Sequence, residues 1–159
     1  SPRRLKAIQP VGGRVVYLLD RQPNAFRHIP FLDAPRSYTF GASVTGGWPV
    51  CRGRLYPKAI GMHSAARLGF AVDPRAAAFA AAVAIDDTTD GGGSVRVRVF
   101  VDGRPQWTGE IIRGGQPPVE VFVRLDGASQ LDLVVDFADR ADVLDRVLWL
   151  DPRWVLRAD

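Results

Sequence analysis

The chain has a single cysteine, Cys51, in 159 residues, which excludes an internal disulfide framework and a zinc site built on cysteines. Histidine is nearly as scarce: His28 and His63 are the only two. His63 stands beside Ser64 in "GMHSAARL", and neighbours on a strand point to opposite faces, so the two cannot form a Ser–His pair. The chain has no G-x-S-x-G elbow, no H-E-x-x-H, no P-loop, and no G-x-G-x-x-G opening a helix. Glutamate is limited to Glu110 and Glu120, both inside expected strands. A glycosidase's pair of positioned carboxylates would therefore fall to aspartates, most of which sit in turns, where Asp is common for backbone reasons. Catalysis is not expected.

Lysine is restricted to Lys6 and Lys58, so arginine carries nearly all of the +4 net charge, scattered among 17 acidic residues. A nucleic-acid binder would show a basic stripe with interleaved aromatics, and none is expected as a partner. "SPRRLK" at the start is the one short basic run. No apolar run approaches the roughly 20 residues of a membrane helix, so no membrane insertion is expected. The opening "SPRRLKAIQP" carries no apolar stretch of a signal peptide, and a start at Ser1 suggests a piece cut from a longer protein.

What the chain does have is alternation. Val95, Val97, Val99 and Val101 share one face of "SVRVRVFVDG", opposite Arg96 and Arg98. Val119, Val121, Val123 and Leu125 alternate with Glu120, Phe122 and Arg124; Leu131, Leu133, Val135 and Phe137 alternate with Asp132, Val134 and Asp136. Period-two segments separated by "RGGQPP" and "DGASQ" read as antiparallel strands with one buried face. "DGRP" at 102–105 reads as a hairpin turn, with Gly103 supplying a positive φ. Further strands are expected at 15–19, 37–41, 67–72, 106–112 and 146–150.

The alanine-rich "DPRAAAFAAAVAID" has helical propensity after Pro74, yet small residues also suit a strand packed on both faces. A strand over Ala78–Ile85, after a turn at Pro74–Ala76, agrees with its neighbours. Residues 20–58, with five prolines, should be loop-rich. No repeat or linker divides residues 1–159. The whole is expected to be a single all-β domain, an antiparallel β-sandwich.

"PKAIGMHSAARLGFAV", followed by "FAAAVAIDDTTDGGGSVRVRVFVDGRPQW", resembles the NPCBM family, also classed as carbohydrate-binding module family 51. That pattern runs K-G-I-G-x-H-[AS], then F-x-A-x-x-G-x-D-D, a Gly-rich turn, V-x-F-x-V-x-x-D-G, L-x-L-x-V, and finally D-H-A-D-W-A-D. Here Lys58, Ile60, Gly61, His63, Ser64, Phe79, Ala81, Asp86, Asp87, Leu131, Leu133, Val135, Asp145, Trp149 and Asp151 match it. The chain departs at Ala59 and Ala84, where the pattern has Gly, and at Arg146 and Leu148, where it has His and Asp.

The resemblance implies a jelly-roll, galactose-binding-like sandwich that accompanies glycoside hydrolases outside the cell or in the periplasm. It implies galactose-type glycans held by loops at one end, and a structural calcium ion. Trp149 could then stack on a sugar, with Asp145 and Arg146 bonding its hydroxyls, or it could be core, alternating with Val147. His63 could bond a hydroxyl or be a satisfied strand histidine. Trp48, among glycines in "VTGGWPVC", could be an exposed platform, whereas Trp107 and Trp154 should pack. Asp86, Asp87, Asp145 and Asp151 could supply the hard oxygens calcium needs, or could cap turns. An EF-hand reading of "DDTTDGGGSV" fails because its twelfth position is Val97. The departures at Arg146 and Leu148 leave an alternative: a protein–protein interaction or scaffold domain that kept the fold and lost its sugar site.

Overall fold

The structure, a computed structural model, describes residues 14–28, 37–44, 46–89, 91–138 and 146–158. Asp145, a candidate for both sugar and ion contact, lies outside them, as does Asp90. The first half is a series of short strands: β1 (Val15–Tyr17), β2 (Ala25–His28), β3 (Thr39–Phe40), β4 (Val50–Cys51), β5 (Arg54–Leu55), β6 (Ala59–His63) and β7 (Ala66–Ala71). Longer strands follow: β8 (Ala76–Ile85), β9 (Ser94–Val101), β10 (Arg104–Thr108), β11 (Ile112–Arg113), β12 (Val119–Arg124), β13 (Gln130–Phe137) and β14 (Arg146–Leu156).

Two antiparallel sheets result. One runs β12-β8-β14-β6-β3, with β1 added along β14; the other runs β10-β9-β13-β7-β2, with β11 added along β9. The pair β4–β5 stands apart as a two-stranded ribbon. The expected alternation explains the core between the layers. Val95, Val97, Val99, Leu131, Leu133 and Val135 on one sheet meet Ile60, Met62, Phe79, Val83, Val147, Trp149 and Trp154 on the other. Each such side chain, taken fully out of water, contributes roughly 1.5–3 kcal/mol, and β-branched valines suit the extended backbone. The "DGRP" turn closes β9 on β10, with Asp102 at φ 49 and Gly103 at φ 80, the mirror-image geometry that right-twisted hairpins favour.

The alanine-rich segment is strand, as expected, and begins two residues earlier. Its inner residues Phe79, Ala81, Val83 and Ile85 enter the main core, while Ala78, Ala80 and Ala84 lie buried on the outer face. Several details differ from expectation. After Tyr17 the chain turns through a short 3-10 segment, Leu18–Asp20, that buries Leu18. The 106–112 segment breaks after Thr108, and both pieces pair with β9. Val119 starts the edge strand β12 and stays half-exposed rather than joining its buried face. β14 runs on to Leu156 instead of stopping at Leu150.

Candidate functional site

The candidate residues gather at one end of the first sheet. Arg146 opens β14 opposite His63, which closes β6. The Asp86 amide, just beyond β8, donates to the Arg146 carbonyl at 2.9 Å, so pairing continues across all three strand ends. Side chains alternate along a strand, which puts Asp86 in line with Ala84 and Ala82, and Arg146 in line with Leu148 and Leu150, on the outer face. His63 is 8% exposed. Its ring centroid lies 6.0 Å from that of His28, whose Nε2 is 3.1 Å from the Ser64 carbonyl. Nothing in the spacing of two histidines 35 residues apart signalled that meeting.

Asp86 and Asp87 hold loops. The Asp86 carboxylate is 1% exposed and accepts the Ser43 hydroxyl; its carbonyl accepts the Thr89 hydroxyl at 3.0 Å. Asp87 accepts the amides of Arg52 at 2.8 Å and Gly53 at 2.9 Å, one on each oxygen. Those two residues form the β4–β5 turn, at φ 51 and φ 77. The neighbouring aspartates thus fasten two loops to the end of the sheet. Gly61 is required beneath the first: a Cβ there would lie 2.7 Å from the Val44 amide nitrogen. Within that loop the Ser43 amide donates to the Gly47 carbonyl, and Gly46 donates back to Ser43, both at 2.7 Å. Trp48 follows immediately and is 75% exposed.

Two candidates stand elsewhere. Trp149 is 0% exposed and pairs with Ile60 and Val83 in the centre of the sheet, so of its two readings the structure takes the core one. The stacking role is corrected: no face of that ring reaches a ligand. Asp151 lies five residues along β14 from Arg146, about 16 Å at 3.3 Å per residue, so it cannot share an ion with Asp86. With Asp87 spent on two amides and Asp145 outside the described residues, the expected set of four does not assemble as one shell. Among the described residues, no three His, Cys, Asp or Glu side chains come together as a metal requires. Trp107 and Trp154 pack as expected, the first against the core and the second within it.

Three of the four departures from the family pattern have a common location. Ala59, Ala84 and Leu148 form one buried cluster with Cys51 and Leu150. The added methyls and the leucine fill the outer face beneath the β4–β5 ribbon where the pattern has glycines and a carboxylate. Burial raises the pKa of the Cys51 thiol, and the Asp87 charge adds to the effect.

Residues 36–155 match the NPCBM/NEW2 domain. The chain belongs to that family. As a member of the NPCBM/NEW2 family it shares its fold with solved carbohydrate-binding modules. A CBM51-2 and INT structure from Clostridium perfringens ZmpB, in complex with GlcNAc, superposes with a TM-score of 0.80 at 21% identity, covering 90% of this chain and 32% of that one. The CBM51 of Clostridium perfringens GH95, in complex with methyl-galactose, gives 0.78 at 19% identity, covering 89% and 99%. In sequence, the chain is 34% identical over 97 residues to a Renibacterium salmoninarum protein that bears the name of an endo-alpha-N-acetylgalactosaminidase. The match covers 60% of this chain and 6% of that relative's length. Among the described residues no helix is long and apolar enough to cross a membrane.

Proposed function

We propose that this NPCBM/NEW2 domain is a non-catalytic carbohydrate-binding module that holds galactose-type glycans at the end of the sandwich where β6, β8 and β14 meet. The observation that carries the reading is the pairing of His63 with Arg146 at the end to which Asp86 ties the loop leading to the exposed Trp48. A sugar ring presents a weakly apolar C–H face to an aromatic side chain and hydroxyls to charged partners. The Arg146 guanidinium donates to hydroxyl oxygens, and His63 serves as donor or acceptor. The family and the solved modules favour this reading over the interaction-domain alternative. The module works beside other domains of a longer parent protein, outside the cell or in the periplasm.

The test is a glycan array with galactose- and N-acetylgalactosamine-terminated probes, followed by calorimetric titration. Arg146→Ala lowers affinity at least tenfold, since a hydrogen bond to a charged group is worth ~1.5 kcal/mol or more, and Trp48→Ala lowers it by removing the aromatic face on which the ring stacks. The melting temperature stays put in Trp48→Ala, whose side chain is exposed. A blank array, or variants that bind as wild type does, overturns the reading.

A calcium ion belongs to the proposal in narrower form, with the Asp86 carboxylate as its ligand among the described residues and Asp145 as its second. Asp87 and Asp151 leave the set. Added calcium then raises the melting temperature, because an ion bound only to the native state stabilises it, and the rise shrinks in Asp86→Asn. Equal rises in both proteins, or none in wild type, refute the assignment.

A further inference from the structure

Further along the same outer face, β14 carries a bulge. Leu150 pairs with Ala82 and Arg153 with Ala80, so β14 advances three residues while β8 advances two. The extra residue reverses the alternation: Leu150 faces outward and Trp154 inward, leaving Arg153 outward beside Ala80, where regular pairing would have aimed it into the core. Asp151 sits at the bulge with φ 49, its amide bonded to the Lys58 carbonyl at 2.7 Å. Its own carbonyl accepts Arg153 Nη1 at 3.0 Å. Bulges of this kind re-aim side chains and are enriched beside binding sites.

The re-aimed residues border a cavity of about 310 Å³. Ala80, Ala82 and Leu150 give it an apolar floor; Tyr56 rises on the β4–β5 side and Glu120 on the β12 side. Arg54 lies over the Tyr56 ring at 4.9 Å. Neither the Asp151 nor the Glu120 carboxylate is in an ion pair among the described residues.

We infer that this trough is a second glycan subsite, taking one neutral pyranose unit. The inference rests on the carbohydrate reading above and deepens it. The volume is at the small end of ligand pockets, which begin near ~300 Å³, and so suits a single ring. Two guanidiniums and two carboxylates balance in charge, so the trough selects neither anion nor cation. Together they offer donors and acceptors to hydroxyls around the rim of a ring whose C–H face lies on Ala82, the part-exposed alanine of that floor. Larger residues at 80 or 82 would fill that floor. At ~3.3 Å per residue the trough lies about 13–20 Å along the strands from Arg146 and Asp86. The buried Ala84 and Leu148 lie between the two sites, and one branched glycan spanning both would gain from effective concentration.

The test is a ¹⁵N amide titration of the whole chain with methyl galactoside and, separately, with N-acetylglucosamine. The amides of Ala80, Ala82 and Arg153 shift and saturate in wild type. They cease to respond in Ala82→Phe, which fills the trough, and saturate at least tenfold later in Glu120→Ala, a change at an exposed rim position. Responses near Trp48 and His63 persist in both variants. If only the amides near Trp48 and His63 respond, the second subsite is refuted and the module reading survives. If only the trough responds, the subsite stands and the end site falls. Silence at both refutes both, and trough shifts that survive Ala82→Phe refute the subsite.

Discussion

Leu148→Asp restores the residue type that the family pattern carries at this position, and here it should be damaging. Leu148 is 0% exposed, between Ala84 and Gly61 on the flanking strands, under Cys51 and beside Leu150. Removing a buried leucine costs about 2–5 kcal/mol, and a carboxyl left without a partner adds about 1–3 kcal/mol. The sum, roughly 3–8 kcal/mol, is a large part of the ~5–15 kcal/mol by which a domain of this size is stable. At ~2–4 °C per kcal/mol the melting temperature falls by about 6–32 °C in scanning calorimetry. The loss also depends on pH. Burial raises the folded-state pKa of the introduced carboxyl, so the deficit is smallest below its unfolded value near ~4 and grows as pH rises. Leu148→Ala loses stability without that dependence. A Leu148→Asp protein that melts within ~2 °C of wild type at neutral pH would refute the sealed cluster, because the carboxylate would then have found solvent, an ion or a ligand.

Asp87→Ala removes the acceptor of both β4–β5 turn amides, as loss of a helix cap does, at about 1–2 kcal/mol in urea unfolding. Cys51 in the same ribbon is 2% exposed, so native-state thiol labelling should be slow in wild type and clearly faster in this variant; unchanged labelling refutes the anchoring role. At the opposite end, hydrogen bonding from the Arg75 side chain pulls the Asp73 carboxyl down from 3.8 to about 2, against the effect of burial. Its stabilisation is therefore complete above about pH 4–5 and is lost as pH falls toward the folded value. Asp73→Asn should flatten the decline in melting temperature between about pH 4.5 and 2, and a parallel decline in both proteins would contradict the ion pair.

The layers were legible because their signal is periodic. Val95 to Val101 and Leu131 to Val135 alternate without interruption, and every one of those side chains is buried. The alanine strand was legible only through its neighbours, since small residues on two faces carry no period. The bulge was not. Asp151-Pro152 reads as the end of a strand, because a proline cannot donate within a sheet, yet β14 absorbs it through one extra residue and continues to Leu156. The candidate site was half legible. Motif positions located His63, Arg146 and Asp86, but a motif does not say which face of a strand a side chain takes. Trp149 shares a face with Val147, but its flanking neighbours Leu148 and Leu150 on the opposite face are apolar too, so only the sheet order shows which face is the core.

The acidic pair after β8 shows why a carboxylate in a Gly-rich turn is weak evidence for a metal. Backbone amides and a hydroxyl compete for the same lone pairs, and here they hold the Asp87 oxygens and one of Asp86's. That arrangement has a functional consequence that ion binding would not by itself supply. The loop from Gly41 to Trp48 is fixed at Gly41, whose amide donates to the Ala59 carbonyl at 2.8 Å, at Ser43 through Asp86, and internally between Ser43 and Gly47. A tryptophan on a free loop would lose much of its binding energy to ordering; one displayed on a loop already tied down loses less. Exposed apolar side chains are common and mean little singly. Trp48 differs because its loop is held by buried carboxylate chemistry at the end of the sheet that also carries His63 and Arg146, so cutting the Ser43–Asp86 tie should weaken glycan binding even though neither residue needs to touch the sugar.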